Sequence, residues 1–238
     1  MKNLVILGAG HAGTSAALAA YKQRIDQNQE EMISITLINR DDNHGIRPRY
    51  YESDLSGTQV PLKPLLDALN IQLVIATVEC VCHEEKIIRL NNGCGVSFDV
   101  VMLCLGSKLT QPFASAQSSE IYDVDTYQSA QALRAALRKQ ILQTGQLGKI
   151  AILGSGFTGI ELACELPLII KNMVAQHPGV KNIHPNISIL AASSPRDRFG
   201  ESAGEYILTA FRRNNIHTNF AARVERIADG CIYYKPEF

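Results

Sequence analysis

One glycine signature occurs twice in this chain, and few folds accommodate it. Near the start, Leu4-Val-Ile-Leu precedes Gly8-Ala-Gly10-His11-Ala12-Gly13 and the Ala-rich run Thr14–Ala20. The pattern returns 146 positions later: Ile150-Ala-Ile-Leu precedes Gly154-Ser-Gly156-Phe157-Thr158-Gly159 and Ile-Glu-Leu-Ala. Each copy reads as a short apolar strand, a G-x-G-x-x-G turn and the start of a helix. The first glycine permits the tight turn, the second lets a diphosphate approach the backbone, and the third allows helix and strand to pack closely. A single copy says little. Two copies in the same strand–turn–helix context, one domain length apart, point to two dinucleotide sites.

Each copy continues into a second strand, Ile33–Asn39 and Ile187–Ala191. The intervening helices are predicted over Thr14–Gln29 and from Gly159 to about Ala175, with Pro167 expected to kink or end the second. Pro178, Gly179 and Pro185 mark Gln176–Asn186 as a loop. Between the copies, Val60–Leu69 reads as a short helix, and Leu73–Val81, Lys86–Leu90 and Val96–Leu103 read as strands with a turn at Asn91-Asn92-Gly93. Ser107–Ser119 is the linker candidate. Asp125 or Thr126 should cap a helix to about Gln143 that buries Ala130, Leu133, Leu137 and Ile141 on one face. The prediction is an α/β protein of two Rossmann-like domains, 1–112 and 113–238.

Composition narrows the partners. Twenty-three basic residues balance 23 acidic ones, so no charge excess favours nucleic acid or an anionic membrane. Apolar runs such as Val100–Leu105 are far shorter than the ~18 residues of a membrane span, and Leu4–Leu7 is too short for a signal-peptide core. The six cysteines are read as reduced thiols of a cytoplasmic protein; Cys80-Val81-Cys82 lacks the two-residue gap of a redox or zinc CxxC. No metal-ligand spacing stands out, and His44, Asp41, Asp42 and Asp54 read as loop residues.

Further segments resemble the flavoprotein oxidoreductases that carry two dinucleotide-binding domains, FAD on the first and NAD(P)H on the second. Phe98-Asp99 followed by an apolar run to Gly106-Ser107 is similar to the family segment beside the flavin nucleotide, although Cys104-Leu105 replaces its usual Ala-Thr. Gly154–Glu161 matches the NAD(P)H motif, whose glutamate lies near the nicotinamide, and Arg47-Pro48 resembles an arginine–proline segment that meets FAD. The resemblance implies FAD contacts at Gly8, Gly10, His11, Ala12, Gly13, Asn39, Arg40, Arg47, Val78, Gly106 and Ser107. It implies NAD(P)H contacts at Gly154, Gly156, Phe157, Thr158, Gly159, Glu161, Ser193, Arg196 and Arg198.

Family members continue with a second FAD segment and an interface domain, so the resemblance implies a C-terminally truncated chain with an incomplete first domain. Asn39–Leu69 has no cysteine, which excludes the dithiol chemistry of the disulfide reductases. Hydride transfer from NAD(P)H through FAD to a quinone or a redox protein is the implied activity, with single-subunit NADH:quinone dehydrogenases the nearest likeness. Peripheral membrane association through the missing part and a homodimer are compatible with it. A non-catalytic redox-sensing module, or an inactive fragment, is the alternative.

Two positions bear on nucleotide choice. Asn39 stands where an acid normally binds the adenosine ribose, and its amide oxygen keeps the acceptor but loses the charge. The second copy has no acid after Ala191 and places Arg196 and Arg198 nearby, the arrangement a 2′-phosphate favours, so NADPH is expected to be tolerated or preferred; the alternative is that both arginines are solvated loop charges.

Overall fold

The computed structural model describes residues 1–110, 121–180 and 183–236. Two units emerge. The first comprises Met1–Ile46 and Ser56–Lys108; the second comprises Arg47–Leu55 and everything from Leu109 onward.

The first unit contains β1 (Lys2–Leu7), α1 (His11–Asp26), β2 (Ile33–Asn39), β3 (Asn43–Gly45), β4 (Gln59–Pro61), α2 (Leu62–Ala68), β5 (Gln72–Ile75), β6 (Val78–Cys82), β7 (Ile87–Leu90), β8 (Gly95–Ser97) and β9 (Val100–Leu103). Its parallel sheet runs β5-β2-β1-β9, with β1 and β2 in register from Lys2↔Ile33 to Leu7↔Ile38. Side chains alternate across a strand, so β1 faces two cores at once. Ile6 packs with Ala17, Leu62 and Leu66 of the two helices, whereas Val5 and Leu7 pack with Ile88, Leu90 and Phe98 beneath the antiparallel β6-β7-β8 meander. This explains why the Leu4–Leu7 part of β1 is apolar on both faces.

The second unit contains α3 (Tyr127–Thr144), β10 (Lys149–Leu153), α4 (Phe157–Ala175), β11 (Asn186–Leu190), α5 (Pro195–Phe199), α6 (Glu201–Arg213), β12 (Ile216–Asn219), β13 (Ala222–Ala228) and β14 (Cys231–Pro236). Its parallel sheet is ordered β10-β11-β12, and β13 and β14 form a hairpin turned at Asp229-Gly230, both with positive φ. Thr126 caps α3 by accepting the Ser129 amide at 3.1 Å, and left-handed Gly145 ends it. The expected face of Ala130, Leu133, Leu137 and Ile141 is buried.

Local readings are corrected in three places. Helix α4 continues through Pro167, because Ile160, Ala163, Leu166, Ile169, Ile170 and Met173 are all buried along it. At roughly 1.5–3 kcal/mol per large apolar side chain, that burial outweighs the ~3 kcal/mol cost of an interior proline. Leu73–Val81 is divided between β5 and β6, since the chain leaves the parallel sheet for the meander. Val96–Leu103 likewise breaks into β8 and β9 around Asp99, which exchanges hydrogen bonds with the Asn3 backbone. The linker stretch 111–119 lies outside the described residues.

Candidate functional site

The first turn follows directly from the end of β1. Gly8 has φ +97°, and a Cβ there would meet the Cys104 carbonyl oxygen at 2.5 Å. Gly10 is extended and precedes α1 without any side-chain cap, and a Cβ on it would meet nothing within 4 Å. Gly13 lies under the turn, where a Cβ would stand 1.7 Å from the Gly8 carbonyl oxygen. The opening amides of α1 therefore lack a protein capping group beside an open backbone, the geometry that receives an anion.

Polar groups hold the turn in shape. The Gly8 amide donates to Ile38 at 2.8 Å, and the Ala9 amide donates to Asn39 Oδ1 at 3.0 Å. Asn39 Nδ2 donates to the Asp41 carbonyl at 2.8 Å, leaving one Oδ1 lone pair for a ligand hydroxyl. His44 Nδ1 lies 2.7 Å from the Ala9 carbonyl oxygen; that oxygen only accepts, so Nδ1 carries the proton. The rings of His44 and His11 meet edge-on at 4.9 Å. Sequence reasoning passed over His44 as a loop residue, since only the β3–β4 pairing brings it to the turn. Ala12 is exposed on α1, and Arg40 is exposed and paired with Asp41 at 3.1 Å. Val78 opens β6 and packs against the meander core, while Gly106 (φ +69°) and Ser107 are exposed just past β9.

The second turn repeats the first. Gly154 has φ +102°, its amide donates to Leu190 at 2.8 Å, and extended Gly156 precedes α4 with no side-chain cap. A Cβ on Gly159 would stand 2.3 Å from the Gly154 carbonyl oxygen. Buried Ser155 donates from Oγ to the Ser193 carbonyl at 3.0 Å. Phe157 and Thr158 are exposed at the helix start, Phe157 stacking obliquely on Phe199 at 4.9 Å.

The two arginines differ. A guanidinium nitrogen of Arg198 lies 4.0 Å from the Cβ position of Gly156, at the turn itself. Arg196 instead pairs with Glu201 at 3.2 Å and with Glu205, which also takes Arg212 at 2.7 Å. Hydrogen bonds from the two arginines hold the Glu205 carboxyl down to about 2.

Behind the second turn, Glu161 on α4 accepts a hydrogen bond from the Tyr51 hydroxyl. Burial pushes the Glu161 carboxyl upward, opposed by that bond, and burial followed by the Glu161 charge raises the Tyr51 hydroxyl. The rest of Arg47–Leu55 is fastened within the same unit. Arg47 pairs with Asp125, Arg134 donates to the Glu52 carbonyl, and Glu165 Oε1 accepts the Ser53 amide at 2.9 Å. Tyr51 is half-buried and serves as a polar partner of the motif glutamate. Nothing local to residue 51 signals this.

Two Rossmann-like strand–turn–helix cradles on one chain define a protein class with two dinucleotide-shaped sites. The chain belongs to the pyridine nucleotide-disulphide oxidoreductase family, whose model matches residues 2–232. It is 30% identical to an NADH dehydrogenase-like protein of Mycobacterium tuberculosis over 97% of its length and 58% of that protein's. It is 27% identical to the ferredoxin–NAD(+) reductase component of a 3-phenylpropionate/cinnamic acid dioxygenase from Photorhabdus laumondii, over 69% of this chain and 41% of that one. The sulfide:quinone oxidoreductase of Aquifex aeolicus shares the fold with a TM-score of 0.73 at 19% identity, covering 100% of this chain and 57% of that one. The chain thus spans under two thirds of the length of these relatives. Among the described residues, no helix is long and apolar enough to cross a membrane.

Proposed function

We propose that the chain supplies both nucleotide cradles of an NAD(P)H-dependent flavoprotein oxidoreductase, with FAD on the first unit and NAD(P)H on the second. The carrying observation is the repeated turn itself: Gly8 and Gly154 at φ +97° and +102°, extended Gly10 and Gly156 opening α1 and α4 without a side-chain cap, and Gly13 and Gly159 packed beneath the carbonyl oxygens of Gly8 and Gly154. The flavin and the nicotinamide supply the hydride chemistry when bound; the protein binds and orients them.

In this reading Gly8, Gly10 and Gly13 admit the FAD diphosphate, Asn39 and His44 keep that turn open, and Asn39 offers its remaining lone pair to the ribose. Gly154, Gly156 and Gly159 do the same for NAD(P)H. Arg198, rather than the doubly paired Arg196, is the cation available to a 2′-phosphate. Glu161 holds a proton or a hydrogen bond near the nicotinamide end, positioned by Tyr51. The electron acceptor is a quinone or a redox protein, in line with what the relatives' names say of those proteins.

Anaerobic addition of NADH or NADPH to the FAD-loaded chain tests this. Bleaching of the flavin absorbance is expected, and Arg198→Ala should weaken NADPH more than NADH. A chain that binds neither FAD nor a nicotinamide nucleotide would overturn the reading.

A further inference from the structure

Away from both cradles, one face of the β6–β7–β8 meander carries two thiols side by side. Cys80 and Cys82 lie two positions apart on β6, hence on the same face. Their sulfurs are 3.6 Å apart, with Cys80 exposed and Cys82 half-buried. The β6–β7 register sets Arg89 opposite Cys80 and Ile87 opposite Cys82. Arg89 Nε donates to the Cys82 sulfur at 3.4 Å, and its outer nitrogen donates to Glu85 at 3.0 Å.

The two sulfurs stand at thiol–thiol hydrogen-bond distance, a separation to set against the needs of two chemistries. A disulfide needs sulfurs at about 2.05 Å and Cα atoms within roughly 4.4–6.8 Å. Positions i and i+2 of a strand are about 6.6 Å apart. Oxidation would therefore work at the far end of that range, against the ladder that β6 forms with β7. A tetrahedral closed-shell cation with metal–sulfur bonds of about 2.3 Å holds two sulfurs about 3.8 Å apart. The observed pair already stands near that bite. Thiolates select soft cations, and the hydrogen bond from Arg89 Nε holds the Cys82 sulfur on this face.

We infer that Cys80 and Cys82 form a chelating site for a thiophilic divalent cation of the zinc–cadmium class, outside both nucleotide sites and independent of the proposed function. Binding forms two metal–sulfur bonds and releases two protons to solvent, with no change in oxidation state. No group of three or more His, Cys, Asp and Glu side chains suited to a metal occurs among the described residues. The remaining coordination positions therefore fall to water or a small external ligand.

The test adds cadmium alone to the reduced full chain, followed by ultraviolet thiolate-to-metal absorption and by competition with a coloured chelator. One cadmium per chain is expected. Affinity should fall at least about tenfold in Cys80→Ser and in Cys82→Ser, because even changes outside the ligand shell cost roughly 10–100-fold. Cys94→Ser and Cys231→Ser should bind as the unaltered chain does, and Arg89→Gln should keep the absorption band with weaker binding. Circular dichroism checks that each variant is folded. An equally strong band in the Cys80→Ser/Cys82→Ser double variant, or no band in the unaltered chain, would overturn the assignment.

Discussion

The two glycine turns have the same backbone but different neighbours. Gly8 and Gly154 share φ near +100°, and Gly10 and Gly156 are equally extended. Gly8, however, follows a strand paired on both sides, and the carbonyl of Cys104 past β9 presses on it. Gly154 follows β10, which lies at the margin of its sheet, and a Cβ there would meet nothing within 4 Å. Glycine is therefore required twice over at Gly8, by conformation and by contact, and once at Gly154. The motif dictates the shape of a turn, whereas the strand order around it decides how much a substitution costs.

The largest expected effect separates Gly13 from Gly159. Gly13→Ala drives a methyl to 1.7 Å from a backbone oxygen, where Gly159→Ala leaves 2.3 Å. In neither case is the obstructing atom the end of a flexible side chain. Gly13→Ala should lose more than about 3 kcal/mol, at the upper end for point substitutions, and Gly159→Ala less; denaturant midpoints compare them.

Next in size is Gly8 against Gly154. Alanine at either position incurs about 1–3 kcal/mol of backbone strain. Gly8→Ala adds the Cys104 contact and should be the worse of the two. Equal losses would mean that β9 yields freely and that the contrast between the turns is superficial.

The smallest effect is a pH dependence confined to the second unit. Burial raises the Glu161 carboxyl above its unfolded value, so the folded state binds that proton more tightly. Its stability contribution is complete below the unfolded carboxylate value, about 4.3, and is lost as pH rises through the folded value. Glu161→Gln should therefore gain melting temperature relative to the unaltered chain as pH rises from about 4 to 7. Tyr51→Phe removes the opposing hydrogen bond and should steepen the loss. Melting curves across that range report both.

Much of the architecture was legible because it rests on local patterns. The apolar run Leu4–Leu7 of β1, the twin glycine signatures and the Thr126 cap each depend on residues within one turn or one strand. Sequence reasoning failed where the competing terms are distant. Pro167 is expected to kink or end its helix, and the helix does not end there because the buried face along α4 carries it on to Ala175. Leu73–Val81 was read as one strand because β-propensity carries no information about which sheet a segment joins. Arg196 and Arg198 looked alike in the sequence, yet α6 brings Glu205 to Arg196 while Arg198 remains beside Gly156.

From the sequence alone came two cradles and the glycines they need, since a tight turn and a close approach of backbone to backbone are short-range steric demands. Tertiary structure alone decided that Cys104 hems in the first turn, that His44 and Asn39 brace it, and that Tyr51 meets Glu161. Those contacts join residues up to 110 positions apart, and only strand order and register bring such residues together.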